Sequence, residues 1–346
     1  MADYLKLFET HSQYEAYMDG GDVVLPNVSH CISENEVHYN PIQHDYSQDY
    51  FTVVAKESGT ITFTYITGAT TDALTSMSYK KNDGEWVTTQ YNPNNGNTID
   101  VSVNNGDKVQ WKGINYAFYY YGCFTSDCHV DIEGNIMSLL YGDNFSDKRS
   151  LEGRGGAFAS LFSFDAELLS LQIVSAENLA LPATTLEYEC YNSMFYGCTS
   201  LITAPKKLPA TTLAERCYNS MFYECASLTT APELPATTLA DGCYFEMFFE
   251  CANLTTAPEL PATTLANDCY GFMFEHCTSL NYIKAMFTTT PSVGYTEEWV
   301  LNVSSTGTFV KNSSATWDVT GVDGIPTGWT VETASADQTP SVEPEK

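Results

Sequence analysis

The sequence predicts a mostly β protein with short helices, in which an N-terminal arm and a β-sandwich precede an α/β repeat solenoid with a C-terminal β cap. Two observations carry this prediction. The hexapeptide LPATTL begins at residues 181, 208, 234 and 260, so one structural unit recurs at spacings of 27, 26 and 26 residues. Upstream, residues 46–133 alternate apolar and polar positions between Gly-containing turns, a pattern typical of antiparallel strands.

Residues 1–45 are expected to form an arm, with a short helix over about residues 9–18 and extended pieces after it. The segment has little periodic apolar content and no evident core of its own. We therefore expect the arm to become ordered against other protein subunits and to anchor the chain to them. At the opposite terminus, residues 333–346 are polar and contain Pro, which predicts a disordered tail.

The β-sandwich is predicted from six alternating segments within residues 46–133. Asn-Asp-Gly at 82–84 and Asn-Gly at 95–96 and 105–106 separate several of them, at intervals typical of a sandwich. The segments are YFTVVAK, GTITFTYI, SMSYKKN, EWVTTQY, NTIDVSV and DKVQWKG. Residues 134–157 are then expected to join the sandwich to the repeats, through a linking helix near 135–145 and a flexible Gly-rich linker that begins at residue 153.

Each repeat copy carries a fixed set of apolar positions. Taking the Leu of LPATTL as position 1, Cys-Tyr recurs at positions 10–11, Met-Phe at 14–15, Cys at 18 and Leu at 21. These positions share one arc of a helical wheel at about 100° per residue, which predicts a short buried helix. The Thr-rich segment that follows ends at Pro and predicts one short strand per copy. The repeats are assigned to residues 158–290, with a degenerate first copy at 158, and the cap to residues 291–332.

One copy cannot cover its own apolar arc, so the copies are expected to stack and bury it. Eight cysteines lie on that arc, and two interpretations stand: small apolar residues that fill a tight core, or disulfides or metal ligands along the stack. We expect them buried and reduced. A bridge within one copy is excluded if the helix forms, since positions 10 and 18 would lie about 12 Å apart. The predicted repeat core contains Cys190, Cys198, Cys217, Cys225, Cys243, Cys251, Cys269, Cys277, Phe195, Phe222, Phe248 and Phe274.

The net charge and the absence of known catalytic motifs argue against several classes of function. The chain has 346 residues and a formal net charge of −28, with 15 Lys and Arg against 43 Asp and Glu. So acidic a chain lacks the clustered cations that nucleic acid or an anionic membrane surface would require. The sequence contains no run of about 18 apolar residues, so membrane insertion is not predicted. No secretory leader is expected either. Without a G-x-S-x-G, P-loop or H-E-x-x-H motif, neither an enzyme nor a cofactor is predicted.

Two groups of His and Cys are candidate metal sites. One lies in the arm and the other follows the predicted sandwich strands, and neither has the spacing of a zinc module. Packing and surface roles are therefore expected, and no metal is predicted. Cys123 and Cys128 remain candidates for a disulfide in an oxidising compartment. The two groups are His30, Cys31, His38 and His44, and Cys123, Cys128 and His129.

Aromatic side chains are the candidate contact residues. Position 16 holds Tyr196, Tyr223 and Phe249, which the helical wheel places opposite the buried arc, and Phe245 and Phe272 at positions 12 and 13 would widen that stripe. The stripe is either a recognition surface or a row of rings that fold against one another. A second aromatic run either faces outward, where it suits sugar rings, or packs on a neighbouring domain. That run is Tyr119, Tyr120 and Tyr121.

The repeat core Y-x-x-M-F-x-x-C-x-S-L resembles the BspA-like leucine-rich repeats found in gut Bacteroides proteins and in the bacteriophages that infect them. The resemblance covers about residues 158–332, including the cap sequence at 307–331. Residues 7–41 resemble, over one short stretch, the N-terminal segment of virion-associated proteins of such phages. The resemblance implies a leucine-rich-repeat solenoid with a recognition role.

The same resemblance implies a non-enzymatic virion structural protein, such as a head fibre, a capsid decoration or a tail-associated protein. Its expected partners are other virion proteins, bound through the arm, and a glycan or protein of the host surface. A homo-oligomer is expected, without nucleic acid or membrane insertion. The particle would assemble in the host cytoplasm. The alternative is a bacterial surface or secreted adhesin of the same repeat type.

Overall fold

Strands make up 31% of the residues that the structure describes and helices 5%, so this part of the chain is mostly β with few short helices and several sheets. The chain divides into two compact units, residues 1–45 and residues 46–346. Among the described residues, no helix is both long and apolar enough to cross a membrane. The computed structural model describes residues 28–33, 36–41, 44–65, 74–89, 98–118, 122–164 and 169–334.

The first unit contains one described hairpin. Strand β1 (Val28–Ser33) pairs antiparallel with β2 (Glu36–Pro41), with Val28 opposite Pro41 and Ser33 opposite Glu36. Extended backbone was expected after the short helix of the arm. The helix itself, over about residues 9–18, lies outside the described residues.

Two sheets form the N-terminal part of the second unit. Their strands are β3 Phe51–Ala55, β4 Gly59–Tyr65, β5 Leu74–Lys81, β6 Val87–Thr89, β7 Thr98–Val103, β8 Lys108–Asn115, β9 Gly122–Ser126, β10 Val130–Asn135 and β13 Ile173–Ala180. Each of the six segments expected to be a strand contains one. The larger sheet has the strand order β13-β10-β3-β8-β5-β6, and the smaller sheet has the order β7-β4-β9.

The two sheets pack face to face, and aromatic rings from both sheets contact one another between them. Alternate residues of β4, β7 and β8 are buried, as a sheet with one covered face requires. Phe124 of the smaller sheet lies 5.0 Å from Trp111 and 5.4 Å from Phe51 of the larger sheet, measured between ring centroids. Phe63 lies 4.9 Å from Phe124 and 6.4 Å from Trp111. Aromatic pairs at such distances contribute beyond their buried area.

The segment after the sheets differs from its expected form. The helix near residues 135–145 is reduced to Ser138–Tyr141, followed by a 3-10 turn at Gly142–Asn144. The Gly-rich segment expected to be a flexible linker is packed instead. Its Phe158 is fully buried and stacks between Phe118 and Tyr191, at 6.2 and 5.5 Å. The segment is therefore part of the stack and not a spacer.

The short buried helix expected in each copy is absent from the described repeats, and a chain of turns takes its place. In the first LPATTL copy, residues 190, 192, 194, 196 and 198 donate their N–H groups to the carbonyl three residues back. The intervening residues donate to the next copy, as Tyr191 does to Cys217. Every fourth residue has a left-handed backbone, with φ of 53° at Glu189, 54° at Ser193 and 68° at Gly197. An α-helix excludes such φ values.

Parallel contacts between copies replace the predicted strand of each copy. Single bridges join Ser175 to Thr203 and Thr203 to Thr230, and another joins Thr256 to Tyr282. Because Ser175 belongs to β13, the ladder of the repeats begins at the edge strand of the larger sheet. The remaining short elements are the 3-10 turn Tyr46–Gln48, β11 Ser163–Phe164, β12 Leu169–Ser170, β14 Tyr282–Ala285, the helix Val293–Thr296, β15 Thr308–Lys311 and β16 Thr330–Thr333.

The stack extends beyond the four LPATTL copies at both ends. Phe158 and Phe162 donate backbone hydrogen bonds to Cys190 and Met194, so the degenerate copy has the register of a true copy. At the other end, Tyr270 and Phe274 donate in the same way to Tyr295 and Trp299. Strands β14, β15 and β16 continue the parallel pairing.

Indole groups close the C-terminal end of the stack. The Trp299 indole donates to the Gly324 carbonyl, and the Trp329 indole donates to the Ser304 carbonyl, at 2.9 and 2.7 Å. The buried Lys311 ammonium donates to the Trp317 carbonyl. Each Trp therefore covers apolar surface and satisfies its own donor, as a buried indole requires.

Candidate contact surface

In the chain of turns, the burial of the side chains varies with a period of four residues. Positions 10, 11, 14, 15 and 18 are buried, while positions 12, 13, 16 and 17 are partly exposed in the first LPATTL copy. A period of four lies close to the 3.6 residues of an α-helix, so both backbones bury the same positions. The buried set was therefore predicted correctly, although its backbone was not.

The buried positions form continuous aromatic columns. At position 11, Tyr191, Tyr218, Tyr244 and Tyr270 stack at 5.7, 5.8 and 5.9 Å between ring centroids. At position 15, Phe195, Phe222, Phe248 and Phe274 stack at 5.1, 5.5 and 5.7 Å. Phe162 extends the second column towards the sheets, because it lies 5.1 Å from Phe195 and 5.7 Å from Phe51.

All eight repeat cysteines are buried free thiols. At position 18, the Cys225 thiol donates to the Phe195 carbonyl at 3.2 Å, and the Cys277 thiol donates to the Phe248 carbonyl at 3.0 Å. Burial raises the pKa of the Cys190 thiol to about 12. These groups are small side chains with a weak donor, and the raised pKa disfavours the reactive thiolate.

A third aromatic column lies at the surface, at positions 16 and 17. Tyr196, Tyr223 and Phe249 are half-buried and stack face to face, at 4.6 and 4.5 Å with interplanar angles of 7° and 6°. The His276 imidazole ends the column, 5.7 Å from Phe249. We call these four side chains the ring column. Of the two arrangements expected, the rings do fold against one another, and they still reach solvent.

Phe245 and Phe272 form a separate contact. Their rings meet edge to face at 5.3 Å, and both are half-buried. In the last LPATTL copy, Glu275 occupies position 16 but is largely buried, with its carboxylate 3.2 Å from the His276 imidazole. The sequence pattern missed His276 as a member of the column, because that residue sits at position 17.

Carboxylates surround the central ring of the column. Burial raises the pKa of Tyr223 to about 12, and the nearby charges of Glu246, Glu224 and Glu250 add to that shift. The Glu224 pKa is itself raised, by burial and then by the Glu250 charge. The Glu246 pKa is raised by burial, against the lowering effect of its hydrogen bond from the Ser220 hydroxyl. This surface therefore concentrates negative charge around apolar rings.

The other candidate residues do not join this surface. Tyr119, Tyr120 and Tyr121 lie outside the described residues, as do the side chains of His30, Cys31 and His38. Cys123 and Cys128 are buried and unpaired, while the exposed His129 contacts the Glu57 carboxylate at 2.7 Å. Within the described part of the chain, no three His, Cys, Asp or Glu side chains are arranged to hold a metal ion.

A cleft beside the larger sheet was not anticipated from the sequence. It has a volume of about 780 Å³ and is lined by Ile114, Tyr141, Asp143, Lys148 and Arg154, among others. The Arg154 guanidinium lies 4.6 Å from the Tyr141 ring centre and donates to the Asn115 carbonyl. Asp143 pairs with Lys112 and Lys148 pairs with Asp147, so these charged groups of the cleft also have partners within the protein.

Comparison with known proteins gives no relative: no family model, no curated protein and no solved structure matches the chain.

Proposed function

We propose that this chain is a non-enzymatic structural and adhesive protein of a bacteriophage virion, serving as a head fibre, capsid decoration or tail-associated protein. In this proposal the stacked copies form a leucine-rich-repeat solenoid of the BspA-like type. The solenoid projects from the particle, and the arm of residues 1–45 anchors it to other virion subunits.

The observation that carries the adhesive role is the shared register of the copies. Each copy repeats the same turns and bonds to the next, so side chains at a given position line up as columns. Such columns present one chemical group several times along a surface, which favours recognition of an extended partner. The ring column places three half-buried aromatic rings in a row on this surface, and apolar patches that reach solvent commonly mark contacts.

Placement on a virion rests on the sequence resemblances of the repeats and of residues 7–41. The decisive experiment is mass spectrometry of purified particles from a phage that encodes this chain. We expect its peptides to co-purify with the major capsid protein at a fixed ratio through a density gradient. Recovery only from the host cell surface would support the alternative, a bacterial surface or secreted adhesin.

The anchoring role has its own test. A chain that lacks residues 1–45 should still fold, because the second unit has its own core, yet it should be lost from particles. A chain that lacks only the polar residues 335–346 is the matched control and should be incorporated at the normal copy number. Normal incorporation of the chain without residues 1–45 would refute the anchoring role.

A further inference from the structure

The ring column and the carboxylates beside it have a chemistry that selects one kind of partner. We infer that this surface docks a basic segment of another protein, whose Lys or Arg side chains lie across the rings and reach the flanking carboxylates. The inference deepens the adhesive role proposed above and rests on it, but it does not depend on placement in a virion.

The geometry of the rings restricts what can bind them. Tyr223 has a neighbour on each face, Tyr196 at 4.6 Å and Phe249 at 4.5 Å, with nearly parallel planes. A sugar ring normally stacks on an open aromatic face, and Tyr223 offers none. What the middle of the column presents is ring edges, which are apolar and suit the methylene stems of Lys and Arg.

The charge around the rings favours a cation at the end of such a stem. Glu224 and Glu250 directly follow Tyr223 and Phe249 in the chain, and the Glu224 N–H donates to the Phe249 carbonyl at 2.8 Å, so both acidic residues adjoin the ring column. The Glu246 carboxylate accepts a hydrogen bond from the hydroxyl of Ser220, whose carbonyl accepts from the Tyr223 N–H. Together with burial, the three charges raise the pKa of the Tyr223 phenol. Among the described residues, no Lys or Arg forms an ion pair with these three carboxylates. Arg216, which belongs to the same copy as Tyr223, instead lies 4.0 Å from the Glu189 carboxylate.

This clustering of like charge is unfavourable in the isolated protein. The pKa of Glu224 is raised by burial and then by the Glu250 charge. Burial also raises the pKa of Glu275, where the neighbouring His276 lowers it and the charges of Glu298 and Glu246 raise it. A partner that brings positive charge relieves this repulsion, so charge complementarity favours a basic segment over an acidic or neutral one.

Peptide titration with the full chain tests the inference. The probes are an octamer of alternating Lys and Leu, the same octamer with Glu in place of Lys, and one with Ser in place of Lys. We expect binding of the Lys octamer only, with affinity that falls at least tenfold between 50 mM and 500 mM salt, because surface charges are screened.

Two triple variants with equal net charge separate the surface from the general acidity of the chain. In one, Glu224, Glu246 and Glu250 are each replaced by Gln, which should lower the affinity for the Lys octamer at least tenfold. In the control, three exposed residues elsewhere are replaced by Gln, and affinity should change less than twofold. The control residues are Glu152, Glu215 and Glu233.

A third variant, Tyr223→Ser with Phe249→Ser, tests the rings and should weaken binding while all charges remain. Circular dichroism of each variant checks that the stack is still folded. Equal weakening by both charge triplets, or no binding of the Lys octamer to the unmodified chain, overturns the inference. Neither result bears on the particle experiment, so failure of the docking surface and failure of virion placement are distinguishable.

Discussion

Replacing Gly197 by Ala should change the free energy of unfolding in opposite directions for the observed chain of turns and for the helix that the repeat pattern predicts. Gly197 has φ of 68°, a conformation that costs a residue with a Cβ atom about 1–2 kcal/mol. A Cβ atom placed there meets no other heavy atom within 4 Å, so the substitution adds backbone strain without a clash. Ala also lowers the conformational entropy of the unfolded chain, which stabilises the folded protein by about 0.4–1 kcal/mol.

The net expectation is a loss of about 1 kcal/mol in the free energy of unfolding. In a helix the same substitution would stabilise the protein by about 1 kcal/mol, because Gly is the poorer helix former. The two backbones therefore predict opposite signs. Urea unfolding followed by far-ultraviolet circular dichroism measures the change, with the exposed Thr199→Ala as a neighbouring control.

Asp268 provides a matched pair of variants for the same reasoning. It is exposed and has φ of 48°, and both Asp268→Gly and Asp268→Ala remove the same carboxylate. The Gly variant should be the more stable by about 1 kcal/mol, since it alone relieves the left-handed backbone. A stabilised Gly197→Ala protein, together with Asp268→Ala more stable than Asp268→Gly, would refute the chain of turns.

Four further predictions follow from the packing and the charges. Phe222→Ala should lower the free energy of unfolding by about 3–5 kcal/mol in urea, because its fully buried ring stacks on Phe195 and Phe248; a loss below about 1 kcal/mol would contradict this. Thiol reagents at pH 8 should leave the repeat cysteines of the folded protein unmodified, since burial raises the pKa of thiols such as Cys190. All should react after denaturation without reductant, and four or more missing thiols would indicate disulfides. The pKa of Asp107 is lowered from 3.8 to about 2, first by its hydrogen bond from Lys81, so its contribution to stability should be present above about pH 4 and vanish as the pH falls to about 2. Asp107→Asn should flatten that part of the profile, and an unchanged profile would exclude this pair as its cause. The pKa of Glu246 is raised by burial, so ionisation opposes folding: Glu246→Gln should exceed the unmodified chain in stability at pH 8 and lose that advantage below pH 4.

The repeats and the strands could be predicted from the sequence because each produces a periodic pattern of residues. The period of 26 to 27 residues defined the copies, and alternation located the six strand segments of residues 46–133. Burial at positions 10, 11, 14, 15 and 18 was also predicted correctly. The helix was wrong because periods of 3.6 and 4.0 residues cannot be distinguished over nine residues.

The two end copies differ in how well the sequence shows them. The leading copy lacks the cysteines but keeps the pattern FASLF at residues 158–162, and the backbone hydrogen bonds of Phe158 and Phe162 agree with that prediction. The copy after LPATTL at 260 has Trp299 where Met stands in the others, and only backbone hydrogen bonds such as that of Phe274 identify it. Left-handed φ values at Glu, Ser and Arg were equally hidden, since the sequence signal for such a backbone is Gly and only Gly197 and Gly242 supply it in the LPATTL copies.

Variation among the copies is concentrated where the packing leaves room for it. The inward positions hold the same residues in all four LPATTL copies, because each ring or thiol must fit the identical group above and below it. The outward positions change: position 13 is Ser, Ser, Glu and Phe, and position 17 is Gly, Glu, Glu and His. At these two positions the acidic residues are confined to the second and third copies, and the last copy instead carries the rings of Phe272 and His276. Because the core does not require these changes, they are where a recognition function can be encoded. The ring column, which runs through the same outward positions, is for that reason the surface to perturb first.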